Sequence, residues 1–302
     1  MSNGLPGEVI YSLDGGETWT QALIDGFGAT EDAVAIDIVA NKLVVVGADA
    51  YYWAALSNLG VPGTWTKVTS GFVAAGSPFD IYVLDANNVF FSGEAGYIYK
   101  ATDITAGVTV IDAGEATTEN LYRIAGDGVN TVVAAGGASA VVVSTNRGAT
   151  FGSVVTEPSA IPLDIYALAV KDSKTFLVGT AASGRMYYTR DGGLSAWANI
   201  SFTGTGAGNV RDIVFATDEV GWMVHDDNTP TGYLWATWDG GNTWVRNDQN
   251  SSRVTNWPVL DRINRVATPK GSQFISANYV VGGGLAGDGT DGVLVLGVGN
   301  IK

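Results

Sequence analysis

Thr237-Trp238-Asp239-Gly240-Gly241-Asn242-Thr243-Trp244 repeats, at every anchor position, the earlier stretch Ser12-Leu13-Asp14-Gly15-Gly16-Glu17-Thr18-Trp19. The form is Ser/Thr-x-Asp-x-Gly-x-Thr-Trp. Ser144-Thr145-Asn146-Arg147-Gly148-Ala149-Thr150-Phe151 keeps the spacing with conservative replacements, and the copy from Thr189 through Asp191 to Trp197 carries one extra residue. Two worn copies run from Asn58 to Trp65 and from Asp103 to Thr109. The anchors at 14, 58, 103, 146, 191 and 239 stand 43 to 48 residues apart. A period of this size is the signature of a repeat architecture and decides the fold before any single element is read. The residue types explain the turn itself. An aspartate accepts amide hydrogens within its own turn, and glycine adopts the positive φ that other residues resist. The tryptophan supplies a large apolar plate between turn and sheet. Asp14, Trp19, Asn58, Trp65, Asp103, Asn146, Phe151, Asp191, Trp197, Asp239 and Trp244 are therefore assigned a structural role.

Outward from each box, short apolar runs alternate with Gly/Asn/Asp turns, the grammar of strands and hairpins. In the first complete unit, Val34–Ala40, Leu43–Gly47, Tyr51–Leu56 and Thr64–Val68 read as four antiparallel strands with the box between the third and fourth. No window carries a 3.6-residue apolar period, so an all-β chain is expected. Four-stranded units of ~40–45 residues in series predict a β-propeller. Five units are complete. The N-terminal strands Glu8–Tyr11 and Thr18–Ala22, with Ile263–Ala267 and Gln273–Val280, are expected to complete a sixth blade and close one domain over 1–302. Gly292–Val298, within the tail 283–302, is left over: an outer strand on the last blade, a replacement for the N-terminal strand, a strand added to a neighbouring molecule, or part of a seventh blade.

Composition narrows the function. The net charge of −14 disfavours nucleic acid and anionic membrane surfaces, both of which repel an acidic chain. The absence of cysteine removes disulfides, thiolate catalysis and cysteine-ligated metal centres. No Sec-type signal and no ~20-residue apolar span is visible, so a soluble protein made in the cytoplasm is expected.

The boxes resemble the Asp-box, or BNR repeat, of sialidases, xyloglucanase-type glycoside hydrolases, sortilin-like receptors and photosystem II stability/assembly factors. Similar repeats occur in phage virion proteins. The resemblance covers nearly the whole chain and implies that the boxes lie on the face away from the ligand site. It does not carry the sialidase chemistry over. No Phe/Tyr-Arg-Ile-Pro segment precedes the first box, and although Arg123, Arg211, Arg262 and Arg265 fall on or beside innermost strands, a trio arising by accident among nine arginines does not assign a carboxylate grip. A xyloglucanase-type site needs two propellers facing one cleft, and the assembly factors' export signal and basic patch are not seen.

Three sets of residues remain. On the first strands, Asp37, Arg123, Asp212 and Arg265 align near the central channel, with Arg265 expected within ~6 Å of Asp212 or Asp37 if the ring closes as an inter-blade charge cluster. Loops expected on that face carry Glu94, His225, Asp226 and Asp227, with His225 placed in a solvated loop between the second and third strands of the fifth blade. Tyr51, Tyr52, Trp53, Trp222, Trp238 and Trp257 are the aromatics available to a glycan. No catalytic set, metal site or cofactor is assigned, although the loop Gly287–Gly292 has the Gly/Asp character of calcium-binding repeats. The reading is a non-enzymatic structural or interaction scaffold. A bacteriophage virion component is the specific expectation, its partners other virion or assembly proteins engaged in part through the C-terminal strand. The alternatives are a carbohydrate- or receptor-binding module and a glycoside hydrolase of sialidase-like fold.

Overall fold

The computed structural model describes residues 9–11, 18–27, 33–154, 158, 163–181, 184–200, 208–226, 232–246, 262–267, 279–285 and 292–298, the last three segments as backbone. The chain divides into two compact units, Met1–Val154 and Val155–Lys302.

In the first unit, β1 (Ile10–Tyr11) and β2 (Thr20–Gln21) form a small antiparallel pair. The first blade follows as β3 (Ala35–Val39), β4 (Lys42–Val46), β5 (Tyr51–Ala55) and β6 (Thr66–Val68). The second blade is β7 (Pro78–Asp85), β8 (Asn88–Gly93), β9 (Tyr97–Ala101) and β10 (Thr109–Ala113). The third is β11 (Arg123–Gly126), β12 (Val132–Ala135), β13 (Val141–Ser144) and β14 (Gly152–Ser153). In the second unit the fourth blade is β15 (Ile165–Val170), β16 (Phe176–Thr180), β17 (Met186–Thr189) and β18 (Ala198–Ile200). The fifth is β19 (Asn209–Phe215), β20 (Gly221–Asp226), β21 (Gly232–Thr237) and β22 (Val245–Arg246). Among the described residues the sixth sheet has three strands, β23 (Arg262–Ala267), β24 (Tyr279–Leu285) and β25 (Gly292–Val298).

Five complete blades and the three-stranded sheet make the expected six. The last sheet departs from the expected makeup in one respect. Its third strand is the leftover segment 292–298, paired along its whole length with β24, and the N-terminal pair β1–β2 is a separate sheet. Of the expected second strand 273–280, Tyr279 and Val280 belong to β24, and 273–278 lie outside the described residues.

The second strands are continuous apolar runs because both of their faces are covered. Along β4, Val44 and Val46 point to the side of the second blade, where they pack with Val89, Phe91 and Tyr99. Leu43 and Val45 point the other way, into a cluster with Val9 and Ala22 of the β1–β2 segment. The alternation is the period-2 geometry of a strand with a sheet on each side. The Tyr51 and Phe91 rings stack across the first two blades at 5.2 Å. In the second unit Leu177 and Met186 of the fourth blade meet Met223 and Trp235 of the fifth.

The box turns share one hydrogen-bond pattern. In the third, fourth and fifth blades the first hydroxyl (Ser144, Thr189, Thr237) donates to Oδ1 of Asn146, Asp191 or Asp239, each at 2.8 Å. That same hydroxyl accepts from the amide of Gly148, Gly193 or Gly241 at 2.9, 3.0 and 2.9 Å. The tryptophan tucks beneath: Trp244 Nε1 donates to Gly241 O at 3.1 Å, and Trp65 Nε1 donates to Leu59 O at 3.2 Å. Asp14 lies outside the described residues. Trp19 is described and is 39% exposed, so it does not form the buried plate seen for Trp65 and Trp244.

Candidate functional site

Because strands one to three alternate in direction, the box turns and the hairpins joining first to second strands share one end of each blade. The starts of the first strands and the links from second to third strands occupy the other end.

At that second end the first strands are bulged. The register with the second strand skips one residue in the second, fourth and fifth blades and in the sixth sheet, at Phe79, Tyr166, Arg211 and Asn264. A bulge re-aims the extra side chain out of the sheet's normal alternation. In the first unit Phe79 lies against Tyr122 with ring centroids 5.5 Å apart. In the second unit the Arg211 guanidinium lies 5.4 Å from the Tyr166 ring centre.

Arg211 is held from behind. Its Nε donates to Asp226 Oδ2 at 2.5 Å, and Asn209 Nδ2 donates to Asp226 Oδ1 at 2.8 Å. Asp226 is fully buried and the Arg211 side chain is 23% exposed. Burying a carboxylate is tolerable only when its oxygens are met by donors of this kind. Beside Arg211, the Tyr166 hydroxyl reaches Asp164 Oδ2 at 3.5 Å, and burial is the main cause that raises the phenol above its ordinary pKa.

These positions correct the expectation for His225 and Asp226. Both belong to β20 and are fully buried, so neither is a solvated loop residue. The apolar run Val220–Val224 continues through them because Asn209 and Val210 of β19 pair opposite, and His225 stacks near Tyr233 at 6.1 Å. Asp227 lies outside the described residues. Glu94 does stand in the link after the second strand, half-buried, and the amide of the next residue, Ala95, is pinned to Asn120 Oδ1 at 2.9 Å.

Asp37 accepts the amide of Ile38 at 2.8 Å, and Asp212 accepts that of Ile213 at 3.1 Å. Arg123 pairs opposite Ala135, and the residue level with it in the second blade is Asp80, whose Oδ2 accepts the amide of Ile124 at 3.2 Å. The Arg265 side chain lies outside what is described. Of the aromatics, Tyr51, Tyr52 and Trp222 are core residues, Trp53 is half-buried, Trp238 is 42% exposed, and Trp257 lies outside the described residues. Among the described residues no group of three or more His, Asp or Glu side chains is placed to hold a metal ion, and the loop 287–292 is not among them. No helix of the described residues is long and apolar enough to cross a membrane.

The carboxylates whose pKa is lowered are turn residues. Asp191 is held at about 2 by its bonds from the Ser195 and Thr189 hydroxyls. Asp103 is lowered chiefly by the Thr105 amide. Asp85, Asp127, Asp172 and Asp239 are lowered because hydrogen bonds from their own turns outweigh desolvation. Asp112 is raised by burial, in the outermost strand of its blade and against Glu115.

No family model matches the chain, and no curated protein matches it. Among solved structures it is similar to YCF48 bound to a D1 peptide, with a TM-score of 0.71 at 15% identity over 98% of this chain and 88% of that one. It is also similar to YCF48 from Cyanidioschyzon merolae, with a TM-score of 0.67 at 17% identity over 98% and 89%. A GH74 enzyme from Niastella koreensis matches with a TM-score of 0.63 at 15% identity, over 93% of this chain and 51% of that one. At these identities the likeness establishes the fold, a β-propeller, and the fold alone.

Proposed function

We propose that this chain is a non-enzymatic interaction scaffold that docks on a larger protein assembly. The observation that carries the reading is where the displaced carboxylates sit: Asp112, raised by burial, lies in the outermost strand of its blade with Oδ1 taken by the Gly114 and Glu115 amides, and the lowered ones are turn residues. Asp85, Asp103, Asp127, Asp172, Asp191 and Asp239 are all pushed down by their own turns. A general acid or base needs the opposite, a group poised near the working pH beside a reacting atom. The buried Asp226 is likewise committed, to Arg211 and Asn209. A solved neighbour, YCF48 bound to a D1 peptide, holds a peptide, which supports protein binding as the use of this fold here.

The specific setting we propose is the surface of a bacteriophage particle, on the strength of the cysteine-free sequence and its Gly-, Ala- and Val-rich repeats. Co-sedimentation tests it. Purified particles from the source of the gene should carry the chain at stoichiometric copy number through a density gradient. A chain recovered wholly in the free fraction, with no slower-migrating complex on native gels, overturns the scaffold reading. Turnover of a chromogenic glycoside panel, abolished by removing a carboxylate, would establish the hydrolase alternative instead.

A further inference from the structure

The second unit contains a cavity of about 510 Å³ at the box-turn end, between the fourth and fifth blades. It stands at the opposite end of the blades from the Arg211 bulge, and its size lies in the range of sites that take a ligand group. Leu177 and the Tyr188 ring supply apolar wall, and Lys171 and Arg190 are the cations that line it. Both cations are already anchored to the protein. Lys171 Nζ donates to the carbonyl oxygens of Asp218 at 2.5 Å and Gly240 at 3.1 Å, and sits 4.7 Å from the centre of the Phe215 ring. Arg190 donates to Asn242 Oδ1 at 2.5 Å and lies 5.1 Å from the centre of the Tyr188 ring.

Four carboxylates face these two cations around the cavity. Two of them are spoken for within their own turns: Asp172 accepts the amides of Lys174 and Thr175, and Asp239 accepts from Thr237 and Thr243. The other two are Asp218 and Glu219, exposed side by side on the hairpin between β19 and β20. Among the described residues neither carboxylate receives a hydrogen bond or an ion pair. Next to the lining residue Asp239, the Trp238 side chain is 42% exposed, although Trp244 of the same turn is buried. The site thus combines an apolar wall with an excess of negative charge concentrated in two unpartnered carboxylates.

We infer that this cavity receives a lysine or arginine side chain from a partner polypeptide. Its aliphatic stem would run along Leu177 and Tyr188, and its cationic head would pair with Asp218 and Glu219. Long basic side chains bury their stems and keep the charged end at a polar rim in this way. The chain's own charge of −14 favours approach of a basic segment from a distance. The inference rests on the scaffold reading for the existence of a partner and adds that partner's chemistry.

The test needs no partner. The folded chain, labelled with nitrogen-15, is titrated with the capped tripeptide acetyl-Ala-Lys-Ala-amide and with its norleucine analogue, to about 10 mM, the range a single exposed side chain occupies. Saturable shifts of the Gly221 and Gly241 amides with the lysine peptide and none with norleucine are expected. The doubly substituted Asp218→Asn, Glu219→Gln chain should keep its melting temperature and bind the lysine peptide about fivefold more weakly, as loss of two exposed ion pairs implies. Equal shifts with both peptides, shifts confined to other residues, or affinity unchanged in the double variant overturn the site. Those outcomes would leave the scaffold reading standing, whereas failed co-sedimentation removes that reading without touching this titration.

Discussion

Arg211 and Asp226 are joined across the first hairpin of the fifth blade, the arginine's Nε donating to the aspartate's Oδ2 at 2.5 Å. The arginine is the bulged residue of β19, and the aspartate is the last residue of β20. The pair therefore pins the irregular start of one strand to the end of the next. Removing one partner leaves the other charge uncompensated. Arg211→Leu strands a fully buried carboxylate and is expected to cost about 3 kcal/mol, read as a lower urea midpoint. Arg211→Lys restores the charge but not the planar donor, and should recover only part of that loss.

Asp191 makes the fold acid-sensitive in a defined window. Its folded pKa of about 2 lies below the ordinary value of 3.8, held there first by the Ser195 hydroxyl and then by that of Thr189. A depressed carboxylate contributes stability that is fully present above pH 3.8 and is lost as pH falls through about 2. Urea midpoints measured from pH 6 down to pH 2 should fall across that interval, and the fall should be shallower in Asp191→Asn. The third blade shows that the amide is sterically acceptable, because Asn146 makes the same turn bonds to Ser144 and Thr150.

Two glycines with nearly equal φ should respond differently to alanine. Gly128 has φ +76 and open space where a Cβ would stand, so Gly128→Ala should cost about 1 kcal/mol of backbone strain. Gly148 has φ +73, and a Cβ there would stand 2.1 Å from Phe90 Cε1 in the packed core. Gly148→Ala should add overpacking to that strain and cost roughly 3 kcal/mol or more. Thermal melts of the two variants check the difference.

The two tryptophans of the fifth box separate burial from exposure. Trp244 is 7% exposed and hydrogen-bonded, so Trp244→Ala should cost about 3–5 kcal/mol. Trp238→Ala should stay within about 0.5 kcal/mol, since this side chain is 42% exposed. Equal losses in the two variants would contradict the turn geometry.

The sequence by itself determined the repeat, the strand order within each unit and the role of the box turns. All of these rest on contacts between residues a few positions apart. Asp239, Gly241 and Trp244 lie within one turn, so their spacing alone dictates the bonds they make. The apolar runs of β4, β8 and β16 were equally legible, because a strand covered on both faces carries no polar side to hide the pattern. What the tertiary structure decided is how strands pair and which side chains meet from different blades. The segment 292–298 had several places open to it, and only its pairing with β24 assigned it to the sixth sheet. His225 and Asp226 read as loop because the stretch after Val224 is polar; β20 extends through them because Asn209 and Arg211 on the neighbouring strand satisfy Asp226. The bulges at Phe79, Tyr166 and Arg211 have no common residue type to betray them, since a bulge is a property of two paired strands and not of one. The cavity beside Asp218 and Glu219 is likewise a product of packing, because its walls come from two blades separated by tens of residues.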